Sequence, residues 1–196
     1  MRVHATMLEI EFEDFYAPTA GFGQPLALVD ACHERVRRMA ELLIRLLEHL
    51  REHGADKRAA ISARAICDYF SSSWARHFQD EELDLFPRVR ARLRERQGPQ
   101  AQRILEAIMT LTEQHRDFLP LWKQIEPTLR AVQERTAHQL SETTVRAFVE
   151  AYRSHLQIEE DVLAPAYVKL LTPEDLRQIG AAMAARRGVT WPPPGR

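Results

Sequence analysis

The sequence predicts an all-α protein, an up-down-up-down four-helix bundle with an irregular N-terminal arm and a short C-terminal helix. Two observations carry this: four long segments in which apolar residues step by three and four, and no β-branched alternation anywhere between them. The breaks that divide the segments are Gly54-Ala55-Asp56, Gln97-Gly98-Pro99 and the stretch from Pro127 to Thr136. Thr136, with Gln139 three residues on, reads as a helix start.

The first stripe runs Leu26, Val29, His33, Val36, Ala40, Leu43, Leu47, Leu50. The second is Cys67, Phe70, Trp74, His77, Glu81, Leu85, and the third Ile104, Ile108, Leu111, His115, Phe118, Trp122, Ile125, Leu129. The fourth is Val145, Phe148, Tyr152, His155, Glu159, Val162, Ala166. Residues 1–24 read as the arm, with Phe12, Phe15, Tyr16 and Phe22 covering a bundle edge; 25–171 form the bundle. Residues 172–196 hold a helix opened by Thr172-Pro173-Glu174 and a proline-rich tail after Trp191.

At 196 residues, 45% of them hydrophobic, the chain suits one buried core. Its formal charge of -1 argues against a dedicated nucleic-acid binder. The arginines at 88, 90, 92, 94 and 96 are spaced by two and so scatter around a helix. No apolar run is long enough to span a bilayer, and the acidic start MRVHATMLEIEFEDF lacks a signal's apolar region, so a cytoplasmic protein is expected. Cys32 and Cys67 have no paired spacing and read as small core residues.

All four stripes are interrupted by a histidine. In an up-down bundle two residues lie level when the intervening turn falls midway between them, since every helix rises about 1.5 Å per residue. The midpoint of His33 and His77 is Ala55, that of His77 and His115 is Arg96, and that of His115 and His155 is Arg135; each lies in or beside a break. The four imidazoles therefore arrive at one depth. Glu81 and Glu159 each follow a histidine by four residues, on the same helix face. Burying two carboxylates among neutral imidazoles costs several kcal/mol per charge, and the stripes carry no Lys or Arg to offset it. Divalent cations remove that penalty, and bridging carboxylates suit a pair of ions better than one. His138 stands 17 residues before His155, about 25 Å along a helix, too far to join them. His49 and His53 lie on the far side of the first helix and are expected in solvent.

The segments HFQDEELDLFP and HLQIEEDVLAP match at the His, the Gln, both Glu, the Leu and the Pro, so the chain reads as two related hairpins. Pro87 and Pro165 are expected to bend or end their helices, and Pro120 to kink the third. There is no H-E-x-x-H, glycine-rich phosphate loop or Ser-His-Asp signal.

A histidine, then H-x-x-x-E, a histidine and H-x-x-x-E on four successive helices resembles the hemerythrin-like, or HHE cation-binding, family over roughly residues 25–170. The resemblance implies two iron ions, which an oxo or hydroxo group can bridge, with His33, His77, His115 and His155 as terminal ligands and Glu81 and Glu159 as bridges. Nitrogen and oxygen donors alone would also accept zinc or manganese. Oxygen-carrying hemerythrins place a further histidine where Leu119 stands, which implies a ligand fewer and an open metal position. They also set the last carboxylate one residue later, making Glu160 an alternative to Glu159. Tyr152, one turn before His155, is a candidate to line the pocket or supply a ligand. Phe148, Trp74, Phe118, Trp122 and Leu111 are candidates for a dry pocket or for ordinary core.

The expected function is binding or sensing of a small diatomic ligand, oxygen or nitric oxide, or of peroxide. The alternatives are iron storage, sensing or delivery to damaged iron centres, then peroxidase or oxidase turnover. No general acid or base stands outside the ligand set, so catalysis is not assigned. The sequence leaves the oligomeric state open.

Overall fold

The computed structural model describes residues 20–191. The expected edge cover by Phe12, Phe15 and Tyr16 and the tail beyond Trp191 lie outside these residues. Every regular element among the described residues is helical.

Helix α1 (Pro25–His53) opens on a proline and closes at Gly54, whose φ of 69° is a backbone state that L side chains rarely adopt. Asp56 then caps α2 (Lys57–Ser72), accepting from the Ala59 N–H at 2.8 Å. His49 holds the same Asp56 carboxylate at 3.0 Å and is half-buried; the solvent exposure expected of it holds for His53 only. Ser73 interrupts the second segment before α3 (Trp74–Asp80), a π-helical turn at Glu81–Leu85, and α4 (Phe86–Leu93).

The third segment, α5 (Pro99–Gln133), runs for 35 residues with Pro120 and Pro127 inside it. The break expected from Pro127 onward therefore begins only at Glu134. Thr136 is not a helix start either. Its hydroxyl donates to the Ala131 carbonyl at 3.1 Å, closing α5, whereas α6 (Glu142–Ile158) is capped by Ser141, whose hydroxyl accepts from the Thr144 N–H. A second π-helical turn, Glu159–Leu163, leads into α7 (Ala164–Leu170). The last helix, α8 (Pro173–Arg186), starts at the expected Thr172, where Thr172 and Asp175 form a reciprocal capping box.

Pro87 and Pro165 explain where the π turns fall. A proline inside an α-helix lacks an N–H and its ring collides with the carbonyl four residues back. Here the N–H of Phe86 reaches back to the Glu81 carbonyl and that of Ala164 to the Glu159 carbonyl, five residues each, so the helices widen by one residue and continue.

The helices pack in a closed ring: α1 on α2, α2 on α5, α5 on α6 and α6 on α1. Buried apolar residues fall into two clusters. On α1, Val29 belongs to one cluster and Val36 to the other, with His33 between them. His77 and Glu81 likewise separate Trp74 from Leu85, His115 separates Leu111 from Phe118, and Glu159 separates Leu156 from Leu163. The order of the clusters along the chain reverses from each long segment to the next, so one polar layer divides the interior. Helix α8 covers α1 and α3 from outside, with Gly180 pressed on the Phe22 carbonyl; a Cβ there would lie 1.9 Å from that oxygen.

Candidate metal centre

Of nine buried polar or charged side chains among the described residues, six converge on one layer. His33, His77, Glu81, His115, His155 and Glu159 are all buried, and Glu81 is 0% exposed. They form two overlapping groups whose donor atoms lie within 4.8 Å of one another, His33, His77, Glu81 and Glu159 in one and Glu81, His115 and His155 in the other. Histidines drawn from four segments thus meet at one depth, the outcome the midpoint test requires.

Glu81 faces both groups. Its Oε1 lies 2.9 Å from His77 Nε2 and 4.0 Å from His33 Nε2, while its Oε2 lies 3.1 Å from His115 Nε2. Glu159 Oε2 lies 3.0 Å from His33 Nε2 and 3.5 Å from His155 Nε2. None of these approaches makes a hydrogen bond: the Nε2 atoms of all four histidines and both oxygens of both glutamates are buried without a partner. Leaving one such polar group unsatisfied costs about 1–3 kcal/mol, and more for a charge. A constellation of orphaned acceptors and lone pairs is what cations would satisfy, and the nitrogen and carboxylate donors fit first-row divalent metals.

The layer's own charges and its burial set the protonation of its members in opposite directions. Burial alone would lower His33, yet the carboxylates of Glu159 and Glu81 beside it raise it to about 9. His77 is also desolvated, and Glu81 together with Cys32 raises it well above its usual value. Burial would raise Glu81, but His77, His115 and His33 hold it well below the carboxylate range. Glu159 is pushed up to about 6 by burial and by the charge of Glu81. His155 is pulled down to about 3 by burial, against the attraction of Glu81.

The outer nitrogens of two histidines are held in place. His115 Nδ1–H donates to Glu82 Oε1 at 2.7 Å, and His155 Nδ1–H donates to Gln114 Oε1 at 2.9 Å, which turns each Nε2 lone pair inward. Glu160 plays a related part. It is exposed and ion-paired with Arg37, and its Oε1 stands 4.0 Å from His33 Nδ1. The second glutamate of each repeated Glu-Glu pair thus reaches the histidine of a neighbouring segment. Glu159, not Glu160, points into the layer. Sequence reasoning noticed the paired glutamates but assigned the second of each no such part, and nothing marked out Gln114.

Two expectations change. Leu119 is 48% exposed, so the position of the carriers' extra histidine does not face the layer at all; Phe118 turns inward instead and stacks on Phe78, their centroids 5.7 Å apart. Cys32 is not a plain core residue. Its half-buried thiol lies beside His77, and although burial would raise its pKa, His77, Arg35 and Arg187 bring it below the ordinary value. Cys67 is buried as expected, and burial raises it to about 11. His138 is exposed, accepting from the Ala55 N–H far from the layer.

The family model of the hemerythrin HHE cation binding domain matches residues 24–167, a span that contains all six side chains. The chain belongs to that family. An uncharacterized protein of Haemophilus influenzae is 26% identical over 170 residues, covering 87% of this chain and 94% of that one. The hemerythrin-like helical bundle here is a cation-binding domain whose buried histidines and glutamates are the candidate ligands. Among the described residues no helix is long and apolar enough to cross a membrane.

Proposed function

We propose that this hemerythrin-like chain is a cytoplasmic di-iron protein, an up-down-up-down bundle that binds or senses oxygen or nitric oxide at its His/Glu layer. His33 and His77 would hold one ion and His115 and His155 the other, with Glu81 and Glu159 shared between them. The observation that carries the reading is the position of Glu81, whose two buried, unpartnered oxygens face different histidine groups. Iron is preferred to zinc or manganese because of the family. With two histidines and two shared carboxylates, each ion keeps a position for a small exogenous molecule, and iron supplies the redox chemistry such a molecule requires. The protein's part is to orient the donors and keep bulk water out: the aromatic rings of Phe78, Phe118 and Trp74 pack beside the layer. Metal analysis of protein purified without added metal, followed by optical titration with oxygen and nitric oxide, tests this. Two irons per chain and a new charge-transfer band are expected; iron-loaded protein with no spectral response would defeat the reading.

One observation favours a second reading. With Leu119 facing outward, neither ion gains a further histidine, and a sparse ligand set releases metal readily. Iron storage or delivery would then be the role, and rapid loss of iron to a chelator would favour it.

A further inference from the structure

Directly beside the polar layer lies a second layer made by the residues one helical turn from each histidine: Val36, Trp74, Phe118 and Tyr152. It is tightly built. Tyr152 stacks on Phe118 with centroids 4.1 Å apart, and Trp74 stands 6.3 Å from Tyr152 and 6.4 Å from Phe118. Within this apolar layer the Tyr152 hydroxyl is buried and has no hydrogen-bond partner. A buried phenol normally finds one. Tyr152 also differs from the other two tyrosines among the described residues. Tyr69 donates to the Cys32 carbonyl at 3.4 Å, and Tyr167, though equally orphaned, lies in the opposite apolar cluster.

Tyr152 has a second property. It forms part of the wall of a groove of about 420 Å³ between α1 and α6, lined by Val36, Ala40, Ile44 and Leu156 and bordered by the Arg37–Glu160 ion pair. Tyr152 thus borders the groove, while its ring centroid lies 6.4 Å from that of His155.

We infer that Tyr152 is the specificity-determining residue of the site, its hydroxyl donating a hydrogen bond to a small exogenous ligand that enters through the α1–α6 groove. The inference rests on the di-iron reading above. It names the ligand class: small molecules or monoanions that keep a lone pair for a hydrogen bond after one atom has been given to the metal. Azide, nitric oxide and oxygen qualify, whereas carbon monoxide, a poor acceptor, gains nothing from the phenol. The role also explains why an orphaned hydroxyl persists in a layer where phenylalanine would pack as well.

The test compares wild-type protein, Tyr152→Phe and Tyr167→Phe after anaerobic iron loading. Iron per chain, azide affinity of the oxidised protein and the infrared stretching frequency of bound azide are measured. Tyr152→Phe is expected to keep its iron, to bind azide about tenfold more weakly, as loss of one hydrogen bond to a charged acceptor implies, and to shift the azide frequency. Tyr167→Phe is expected to match wild type on all three. Wild-type affinity and frequency in Tyr152→Phe would overturn the inference, as would loss of iron, which would make the tyrosine a ligand or a packing group. Failure of the wild type to take up iron overturns the di-iron reading itself, and is recognised by metal analysis before any azide is added.

Discussion

Asp80, the residue immediately before Glu81, is ion-paired with both Arg186 and Arg187 at the end of the last helix. Arg186 also holds Asp84 at 2.6 Å, so α8 grips the π turn on both sides of Glu81. Asp80 is buried and the arginines only partly so. Removing the carboxylate leaves two cations without their main partner in a poorly hydrated place, whereas the reverse change leaves a buried anion. Asp80→Ala is expected to destabilise the metal-free protein by about 2–3 kcal/mol and to weaken metal uptake by loosening Glu81. Urea unfolding and metal titration of the variant check both.

Glu81 and Glu160 divide more sharply. Glu81→Gln keeps the shape but removes the charge that faces both histidine groups, and metal content is expected to fall to one ion per chain or fewer. Glu160→Gln, which disturbs an exposed ion pair with Arg37 and a 4.0 Å approach to the outer nitrogen of His33, is expected to leave metal content unchanged. Plasma emission analysis of the two variants separates them, and loss of metal in Glu160→Gln alone would reassign the bridge.

Orientation of the histidines gives a graded version of the same test. Glu82→Ala and Gln114→Ala each remove the acceptor that fixes an imidazole, His115 in one and His155 in the other. Partners of this kind are typically worth about 10–100-fold in metal affinity. Competition with a chelator of known affinity measures the loss, which is expected to be absent in Glu113→Ala, on the same helix but bonded to neither ring.

These residues mark the limit of what the sequence disclosed. Helical periodicity and the spacing of turns placed His33, His77, His115 and His155 at one level because rise per residue is a constant of the helix, and the metal layer followed. The π turns were not foreseen, although Pro87 and Pro165, each six residues past its glutamate, were the signal; a proline restricts the helix without dictating whether it kinks, ends or widens. The end of α5 was misplaced because Pro127 stays helical, where tertiary packing of Ile125 and Leu129 outweighs the lost hydrogen bond. The grip of Arg186 on Asp80 joins residues 106 apart and leaves no local pattern at all.

Acidity offers a test with two signs. Without metal, His33 is raised to about 9 from 6.5 by its carboxylate neighbours against burial. A raised pKa stabilises the folded chain fully below 6.5, and that stability is lost as pH rises through 9; the shift corresponds to about 3 kcal/mol. The thermal midpoint of chelator-treated protein is therefore expected to drop between pH 7 and 9.5, while metal-loaded protein, whose cations replace the proton, does not follow it. Metal affinity runs the other way. It is expected to rise from pH 6 to 9 as His33 stops competing, and to collapse below pH 6, where Glu159 takes up its own proton. Calorimetry and metal release at a series of pH values test the two trends.

Leu119→His is the variant that analogy with the oxygen carriers would suggest, and the fold argues against it. The side chain at this position is 48% exposed and Phe118 occupies the inward face, so a new imidazole would point to solvent. Reaching the layer would require α5 to rotate about its axis, unstacking Phe118 from Tyr152 and Phe78. Burial of one such ring contributes about 2–3 kcal/mol, more than an optional extra ligand is expected to return against the preformed pair of shared carboxylates. The variant is expected to hold the same number of ions with an unchanged spectrum; an altered metal spectrum would show that α5 turns more easily than its packing implies.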